Sequence, residues 1–470
     1  MMNGIHKAIG VFLIGMMLPL LTWAQPTKQS PHIDVLPQIN TPLFLQPYGW
    51  SDHYIDRIDI LNDGGGALHL HTAIRPYYHR TFNRVLQAGP QSAADQFNHQ
   101  QLWANFLYPS QSKKPILRYF YRDQQYLYHY RDEDAQIAIN PVFHFEGGVE
   151  NGSQQLNYVN TRGAEVRGQI GEKVAFYSRF TENQALFPDY VMADWANNQE
   201  ILRGESRSKT FKNGGLDLLS ARGYVSADVL PQINVQLGHD RNFIGNGFRS
   251  LLLSDQHEDY LFLKINTRFG PFHYQNLFAE LIDSNNDFIR DNDLRKKYMA
   301  AHFLSVDVTK NLNIGIFESV VRGSADSTPV DFQLSYLNPL IFYRAIEYGL
   351  GSSDNVTLGL NVKYNFLKHF SLYGQFVLDD WQFFEVVNGT GWWANRYGGQ
   401  VGLKYYDIAG ISNLDGQVEW NAVRPFTYSH NNLGNNYTHY AQPLAHPLGA
   451  NFSEWIVRLR YQPLKRLMLD

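Results

Sequence analysis

The stretch NVTLGLNVKYNF, residues 355–366, alternates polar or small side chains with apolar ones along its whole length. Successive side chains of a β-strand point to opposite faces, so this stretch predicts a strand with one apolar and one polar face. Residues 414–422 repeat the pattern, with Asp415, Gln417 and Glu419 on the polar face. A soluble β-sandwich and a membrane barrel both contain such strands, so alternation alone does not separate the two folds.

The connections between the predicted strands fall into two lengths, and this difference does separate the two folds. Short turns are expected near residues 171–173, 230–232, 270–271, 310–311, 367–369, 409–413 and 463–465. Long polar loops alternate with them at residues 183–214, 241–258, 284–295, 323–354, 381–395 and 424–451. Short connections at one end and long ones at the other are typical of bacterial outer-membrane barrels, whose long loops are extracellular. A closed barrel also satisfies every backbone polar group in lipid.

We therefore predict an all-β chain in which residues 116–470 form a transmembrane antiparallel β-barrel of the cell outer membrane, surrounded by outer-membrane lipid. The predicted strands reach the ~9–11 residues that cross a bilayer at a tilt. The hairpins predict roughly 14–16 strands here and about 16–18 strands in a complete barrel. Residues 467–470 begin a strand that stops at Asp470, whereas bacterial barrels typically end on an aromatic residue. We expect this barrel to be truncated at its C-terminus.

The first residues of the chain predict export. Residues 1–24 comprise a short start, an apolar stretch and small residues before Gln25, which indicates a cleaved signal peptide. No later stretch offers the ~18 consecutive apolar residues of a transmembrane helix. The chain contains no cysteine, which excludes disulfide bonds and a lipid anchor attached to cysteine. Its net charge of −4, without a basic run, predicts no nucleic-acid partner.

Residues 25–115 form a separate segment, since they lack the regular hairpin pattern of the remaining chain. Ser92 and Asp95 have the spacing of a capping box, which predicts a short helix that continues to about Leu107. Two interpretations of the segment stay open at this point. It is either a small, partly helical plug of the barrel or a periplasmic extension packed against it.

Four longer segments carry a family resemblance. They are GHDRNFIGNGFRSLLLSD at 238–255, NPLIFYRAIEYGLGSSDN at 338–355, NGTGWWANRYG at 388–398 and QPLAHPLGANF at 442–452. They resemble the Wzi family of capsule-assembly outer-membrane proteins, in the branch that also includes gliding-associated outer-membrane proteins. The resemblance runs from roughly Thr72 to the end of the chain. It implies a barrel with an N-terminal helical plug that acts as a surface lectin for exported polysaccharide. The chain departs from this pattern in its missing C-terminal strands and its shorter helical region.

Aromatic residues in the long loops are the first candidates for polysaccharide binding. Flat rings stack on the apolar faces of sugars, and Tyr and Trp suit wet interfaces. The alternative is the aromatic girdle at the membrane boundary, which we favour for Trp381. The loop candidates retained for binding are Trp392, Trp393, Tyr428, Tyr437 and Tyr440, and Trp195 and Phe426 also lie in these loops.

Polar loop residues are the second group of candidates. The loop that contains Arg241, Asn242, Asn246 and Arg249 is punctuated by glycines, and its Arg and Asn donors suit the carboxylates and hydroxyls of an acidic polysaccharide. The alternative is a loop that folds inward and braces the lumen. Arg344 and Glu347 allow the same two interpretations.

The sequence favours a binding protein over an enzyme. It contains no GxSxG elbow, no HExxH and no phosphate-binding glycine loop, and no complete metal-ligand set, so we expect no enzyme, no cofactor and no metal. We predict a barrel that binds surface polysaccharide and helps anchor or assemble a capsule or exopolysaccharide. The alternatives are a porin or solute channel, and a gliding-associated or adhesion protein whose partner is another protein.

Overall fold

The computed structural model of the chain describes residues 41–45, 49–62, 70–78, 92–104, 126–152, 156–198, 200–205, 208–284, 295–323, 330–340, 343–350, 354–380, 392 and 395–470. The predicted signal peptide, residues 1–24, lies outside the described residues, and so does Trp393.

The described helices are short and belong to the N-terminal segment and to two loops. They are α1 Gly49–Leu61, α2 Ala93–Ala104, α3 Asp189–Asn197 and α4 Tyr343–Leu350, with 3-10 turns at Lys212–Gly214, Leu334–Leu337, Ile408–Gly410 and Leu433–Asn435. None of the helices in these ranges is long and apolar enough to cross a membrane. The helix predicted from the capping box is α2: the Ser92 N–H donates to Asp95 Oδ2 (3.1 Å), and the Asp95 N–H donates to Ser92 Oγ (3.0 Å).

Most of the described chain is strand. The strands are β1 Ile74–Arg75, β2 Tyr128–Arg131, β3 Ala135–Val149, β4 Leu156–Ile170, β5 Val174–Leu186, β6 Lys209–Phe211, β7 Gly215–Leu230, β8 Ile233–Asp240, β9 Phe243–Ile244, β10 Tyr260–Phe269, β11 Phe272–Asp283, β12 Arg295–Asp307, β13 Leu312–Arg322, β14 Asn355–Phe366, β15 Phe370–Asp380, β16 Arg396–Tyr405, β17 Leu414–Val423, β18 Thr438–His439, β19 Gln442–Pro443, β20 Phe452–Leu464 and β21 Leu467–Leu469.

The long strands form one antiparallel barrel sheet in which each strand pairs with its neighbours along the chain. The pairings run from β2 through β3, β4, β5, β7, β8 and β10–β17 to β20 and β21. Within the described residues, no ladder joins β2 or β3 to β20 or β21. The turns β4–β5, β7–β8, β10–β11 and β14–β15 contain two or three residues, and long loops follow β5, β8, β11, β13, β15 and β17. The prediction that short turns alternate with long loops along the barrel is confirmed.

The two faces of the strands have the chemistry that the alternation predicts. In β14, Leu358 and Leu360 are exposed on the outward face, whereas Asn361 and Lys363 are buried on the lumen face. An apolar outward face is required where lipid surrounds the sheet, and polar residues are accommodated inside. The fold is therefore the predicted all-β barrel.

The core of the molecule lies inside the barrel. At the short-turn end, Tyr54 and Ile58 of α1 form a buried cluster with Tyr77 and with inward-facing Ala138 of β3. Toward the long-loop end, residues 251–253 form a second cluster with aromatic and aliphatic side chains that point inward from β12, β13 and β15. The lumen is thus occupied by parts of the same chain that are not barrel strands.

Candidate functional site

The loop after β8 turns into the barrel, and an inward-facing carboxylate of β17 holds its tip. The backbone N–H groups of Phe248 and Arg249 donate to Glu419 Oε2 and Oε1, at 2.7 and 3.1 Å. A Cβ on Gly247 would lie 2.6 Å from Glu419 Oε2, so glycine is what permits this approach. Hydrogen bonds to a charged acceptor are stronger than neutral ones, which makes Glu419 an anchor for the loop.

Two of the predicted polysaccharide-binding residues lie deep inside this anchored loop. The Asn246 side chain donates to Thr72 Oγ1 and accepts from Asn361 Nδ2, both at 2.9 Å. Asn242 Oδ1 accepts from Lys264 Nζ at 2.8 Å. Both Asn side chains are buried. Their contacts favour the interpretation of a loop that braces the lumen, and a role in binding glycan stays a prediction for them.

The two arginines of the same loop are partly buried and paired with carboxylates. Arg241 Nε donates to Asp259 Oδ1 at 2.8 Å, and its Nη2 donates to the carbonyl oxygen of Gly204 at 2.6 Å. Arg249 Nε lies 3.7 Å from Glu454 Oε2. Both guanidinium groups therefore contribute to loop structure, and Arg241 joins the loops that follow β5 and β8.

Helix α1 meets the barrel wall and the inward loop through a cluster of charges. Lys363 Nζ donates to Asp59 Oδ2 at 2.7 Å, and Lys404 forms an ion pair with Asp56. Lys404 Nζ also donates to the carbonyl oxygen of Asn246, at 2.7 Å. Burial by itself would raise the pKa of Asp56, but the ammonium groups of Lys404 and Lys363 outweigh it and hold that pKa below its usual value.

Arg57 of the same helix connects α1 to α2 and to the short-turn end of the barrel. Its guanidinium donates to Asp95 of α2 at 3.0 Å, to Asp415 of β17 at 2.8 Å and to Asp407 of the β16–β17 turn at 2.8 Å. Arginine presents several donors in a fixed plane, so one buried side chain can hold three carboxylates in place.

Residues 424–451 cover the inward loop on the extracellular side, and we call them the cover. Tyr428 Oη donates to the carbonyl oxygen of Leu251, and Tyr437 Oη donates to that of Leu252, both at 2.8 Å. The two rings stack with their centroids 5.9 Å apart, and both are buried. These two predicted site residues therefore fasten the cover to the loop below it, and their rings are not accessible to a glycan in this arrangement.

The exposed aromatic side chains at this end are found elsewhere. Trp392 is 39% exposed and Phe426 is 58% exposed, while Tyr440 is half-buried. Arg424, also half-buried, stands beside this surface with its guanidinium carbon 5.3 Å from the ring centroid of Tyr397. These exposed rings and the Arg424 guanidinium group lie in or beside the long loops, so they are candidates for contact with a large external ligand.

Arg344 and Glu347 do not lie with the other candidates. Both belong to α4, which packs against the outward side of β12 through a 2.8 Å hydrogen bond between Tyr343 Oη and His302 Nε2. The barrel wall stands between this helix and the lumen residues described above.

Helix α1 and its ion pairs were not predicted from the sequence. A usable signal was present, because the buried Tyr54, Ile55 and Ile58 have helical spacing within residues 49–61. Asp56 and Asp59, by contrast, have no sequence feature that distinguishes them from solvent-exposed acidic residues of a helix. Their roles follow only from Lys363 and Lys404, which are far away in the sequence.

These observations define a class of protein: an outer-membrane β-barrel whose lumen is occupied by an N-terminal helix and by an inward extracellular loop. The family model described as capsule assembly protein Wzi matches residues 138–468, and the chain belongs to this family. The family predicted by resemblance is therefore confirmed, together with the location in the outer membrane.

Similar solved structures are also β-barrels. The chain resembles Wzi of Escherichia coli, described as a carbohydrate-binding β-barrel and an outer-membrane protein involved in group 1 capsule assembly. The identity is 12%, the overlap covers 87% of this chain and 80% of that one, and the TM-score is 0.51. Pseudomonas aeruginosa OccK3 (OpdO) has 12% identity over 63% of this chain and 72% of that chain, with a TM-score of 0.34. Salmonella typhi OmpF in complex with daunomycin has 11% identity over 67% of this chain and 96% of that chain, with a TM-score of 0.28. No curated protein sequence matches the chain.

Proposed function

We propose that this protein binds polysaccharide at the cell surface and helps to anchor or assemble a capsule or exopolysaccharide there, without catalysing a reaction. The observation that carries the proposal is the filled lumen, in which α1, the inward loop and the cover lie one above the other. A large external ligand then meets the cover and its neighbouring loops, not an open passage. Membership of the capsule-assembly family and the likeness to a carbohydrate-binding barrel support this proposal.

The proposed contact surface consists of the exposed rings and the nearby cations at the extracellular end. Trp392 and Phe426 expose enough ring area to stack on sugars, and Arg424 can donate to carboxylates or hydroxyls. Tyr440 belongs at the edge of this surface, and Trp393 is retained from the sequence prediction. The buried Asn242, Asn246, Tyr428 and Tyr437 act indirectly in this proposal, because they hold the loops that carry the surface.

Glycan binding by two alanine variants tests the surface. Trp392→Ala and Phe426→Ala should each weaken the binding of purified capsular polysaccharide from the producing cells, since each removes about 1 kcal/mol of stacking, or roughly fivefold in Kd. Phe269→Ala is the matched control, because Phe269 is 73% exposed but ends β10, next to a short turn at the opposite end of the barrel. If both loop variants bind like the control, the proposed surface is wrong.

The channel alternative makes a different prediction about conductance. The N-terminal segment, residues 25–115, is proposed to act as a plug, so purified protein in planar bilayers should stay closed. Steady open levels would favour a porin over a plugged binding protein. In cells that lack the protein, total polysaccharide should stay unchanged while the cell-attached fraction falls. Unchanged attachment would contradict the anchoring role, and capture of surface proteins without glycan would favour the adhesion alternative.

A further inference from the structure

A row of polar side chains crosses the outward face of the barrel. Asn276 of β11 pairs with His302 of β12, and His302 pairs with Glu318 of β13, so the three are cross-strand neighbours at one height. They lie near the middle of their strands. All three are buried, although they share the outward face with Phe272 and Ile316, which are exposed. Polar groups at this height would be costly if lipid covered them directly.

Residues 330–340 and 343–350 cover this row, and we call them the lateral segment. The side-chain N–H of Asn276 donates to the carbonyl oxygen of Pro339 at 3.2 Å. The Tyr343 ring stacks on His302 with a centroid distance of 4.2 Å, in addition to the hydrogen bond between their side chains. The segment belongs to an extracellular loop, yet it packs on the outside of the barrel wall.

Apolar contacts hold the same segment on the long-loop side of the polar row. Phe332 meets the rings of Phe278 and Tyr298 edge to face, with centroids 6.4 and 5.7 Å away. Tyr336 and Tyr343 form a buried cluster with outward-facing residues of β11 to β14. The segment is therefore packed against the barrel along its length and is not held only at its two ends.

The other side of the lateral segment exposes three leucines, together with Asp331 and Ser335. Leu334, Leu337 and Leu340 are 74%, 43% and 65% exposed. The segment packs on Val356 of β14, and Leu358 and Leu360 follow on the same outward face of that strand, where they are exposed. Part of the segment's backbone finds partners within the segment: the Tyr336 N–H donates to the carbonyl oxygen of Gln333, the Asn338 N–H donates to that of Ser335, and the Leu340 N–H donates to Asn338 Oδ1.

We propose that residues 334–340 of the lateral segment lie within the hydrocarbon region of the outer membrane and that Leu334, Leu337 and Leu340 contact lipid acyl chains. The segment supplies hydrogen-bond partners to Asn276 and His302 of the polar row and presents leucine side chains in their place. Non-helical backbone is tolerated at that depth only where protein satisfies it, and the hydrogen bonds of the Tyr336, Asn338 and Leu340 N–H groups contribute to this. Continuity with the lipid-facing side of β14 identifies lipid, not a second protein, as the occupant.

Site-directed spin labelling tests this placement, because the chain has no cysteine and each label is unique. Leu334→Cys, Leu337→Cys and Leu340→Cys would be labelled in the full chain and reconstituted into vesicles of Escherichia coli polar lipids. Leu360→Cys is the lipid-facing reference. Leu433→Cys is the aqueous reference, since Leu433 is 52% exposed on the cover. Heat-modifiable migration on gels selects the folded protein for each variant.

We expect oxygen to relax all three labels more strongly than a water-soluble nickel chelate does. The ratio of the oxygen effect to the chelate effect should equal the ratio measured for the label at position 360. The proposal is overturned if the chelate reaches these labels as it does position 433, because the segment would then extend into water. It is also overturned if neither reagent reaches them, because a protein surface would then cover the segment. Glycan binding by the same labelled proteins is a separate readout, so failure of this proposal does not imply failure of the proposed function.

Discussion

Replacement of Arg57 should release helix α1 from the barrel wall. The Arg57 side chain is 2% exposed, and those of its partners Asp95 and Asp415 are 3% and 4% exposed. Removal of one partner from a buried ion pair typically costs about 3–5 kcal/mol, because a charge is left buried without compensation. We take about 3 kcal/mol for Arg57→Met, since the buried carboxylates keep some other hydrogen bonds. This corresponds to roughly a 100-fold larger open population of α1.

Hydrogen–deuterium exchange of the backbone amides in residues 49–61 measures this opening directly. The purified protein in detergent micelles should exchange roughly 100-fold faster in this region after Arg57→Met, while amides of the central strands keep their rates. Arg203→Met is the matched control. Arg203 has a two-pronged pair with Asp194 at 2.8 and 2.9 Å, but the two side chains are 63% and 38% exposed, so the loss should stay below about 1 kcal/mol.

The same variant links the helix to conductance. If α1 closes the short-turn end, Arg57→Met should show transient open levels in planar bilayers that Arg203→Met lacks. Unchanged exchange in residues 49–61 would refute the reasoning, because it would mean that Arg57 does not determine the docking of α1. If exchange becomes faster but no open levels appear, the docking of α1 is not what closes the lumen. The inward loop and the cover would then close it.

Two further predictions concern the extracellular loops. Burial raises the pKa of the Glu258 carboxyl to about 8, and the nearby Asp259 and Glu205 add to this shift. Between the ordinary pKa of a glutamate and pH 8, the folded state therefore binds more protons than the unfolded state. The stability of the folded state falls as pH rises through this range. Burial lowers the pKa of His257 to about 4, which acts in the opposite direction below pH 6.5. Amide protection factors in residues 241–259, which are corrected for the base catalysis of exchange itself, should therefore fall from pH 6.5 to 8. Glu258→Gln should lose this part of the pH dependence. If the pH dependence between 6.5 and 8 is unchanged in Glu258→Gln, another titrating group causes it. Gly323→Ala should loosen the cover at a cost of about 1–3 kcal/mol, because the added Cβ would lie 2.2 Å from the backbone oxygen of Gly434. Gly399→Ala, whose Cβ meets open space, is the control, and equal protease cleavage of residues 424–451 in both variants would contradict the prediction.

Local features of the chain were predictable from the sequence. Alternation in β14 assigned Leu360 to the outward face and Lys363 to the lumen, because the two faces of a strand follow from residue parity alone. The turn at residues 171–173 and the capping box at Ser92 were likewise local, since each depends on residues only a few positions apart. The signal peptide at residues 1–24 and the truncation of the barrel stay predictions.

Only the tertiary structure decided where the polar side chains and the loops lie. Lys363 meets Asp59 from a position 304 residues away, and neither residue carries a local mark of the other. The long loops were recognisable as loops, but whether one turns into the lumen, as at Asn246, or onto the outer wall, as at Tyr343, depends on partners in distant strands. A polar residue in a strand has the same sequence pattern whether it faces water, a plug or a covering segment, so long-range packing alone distinguishes these environments.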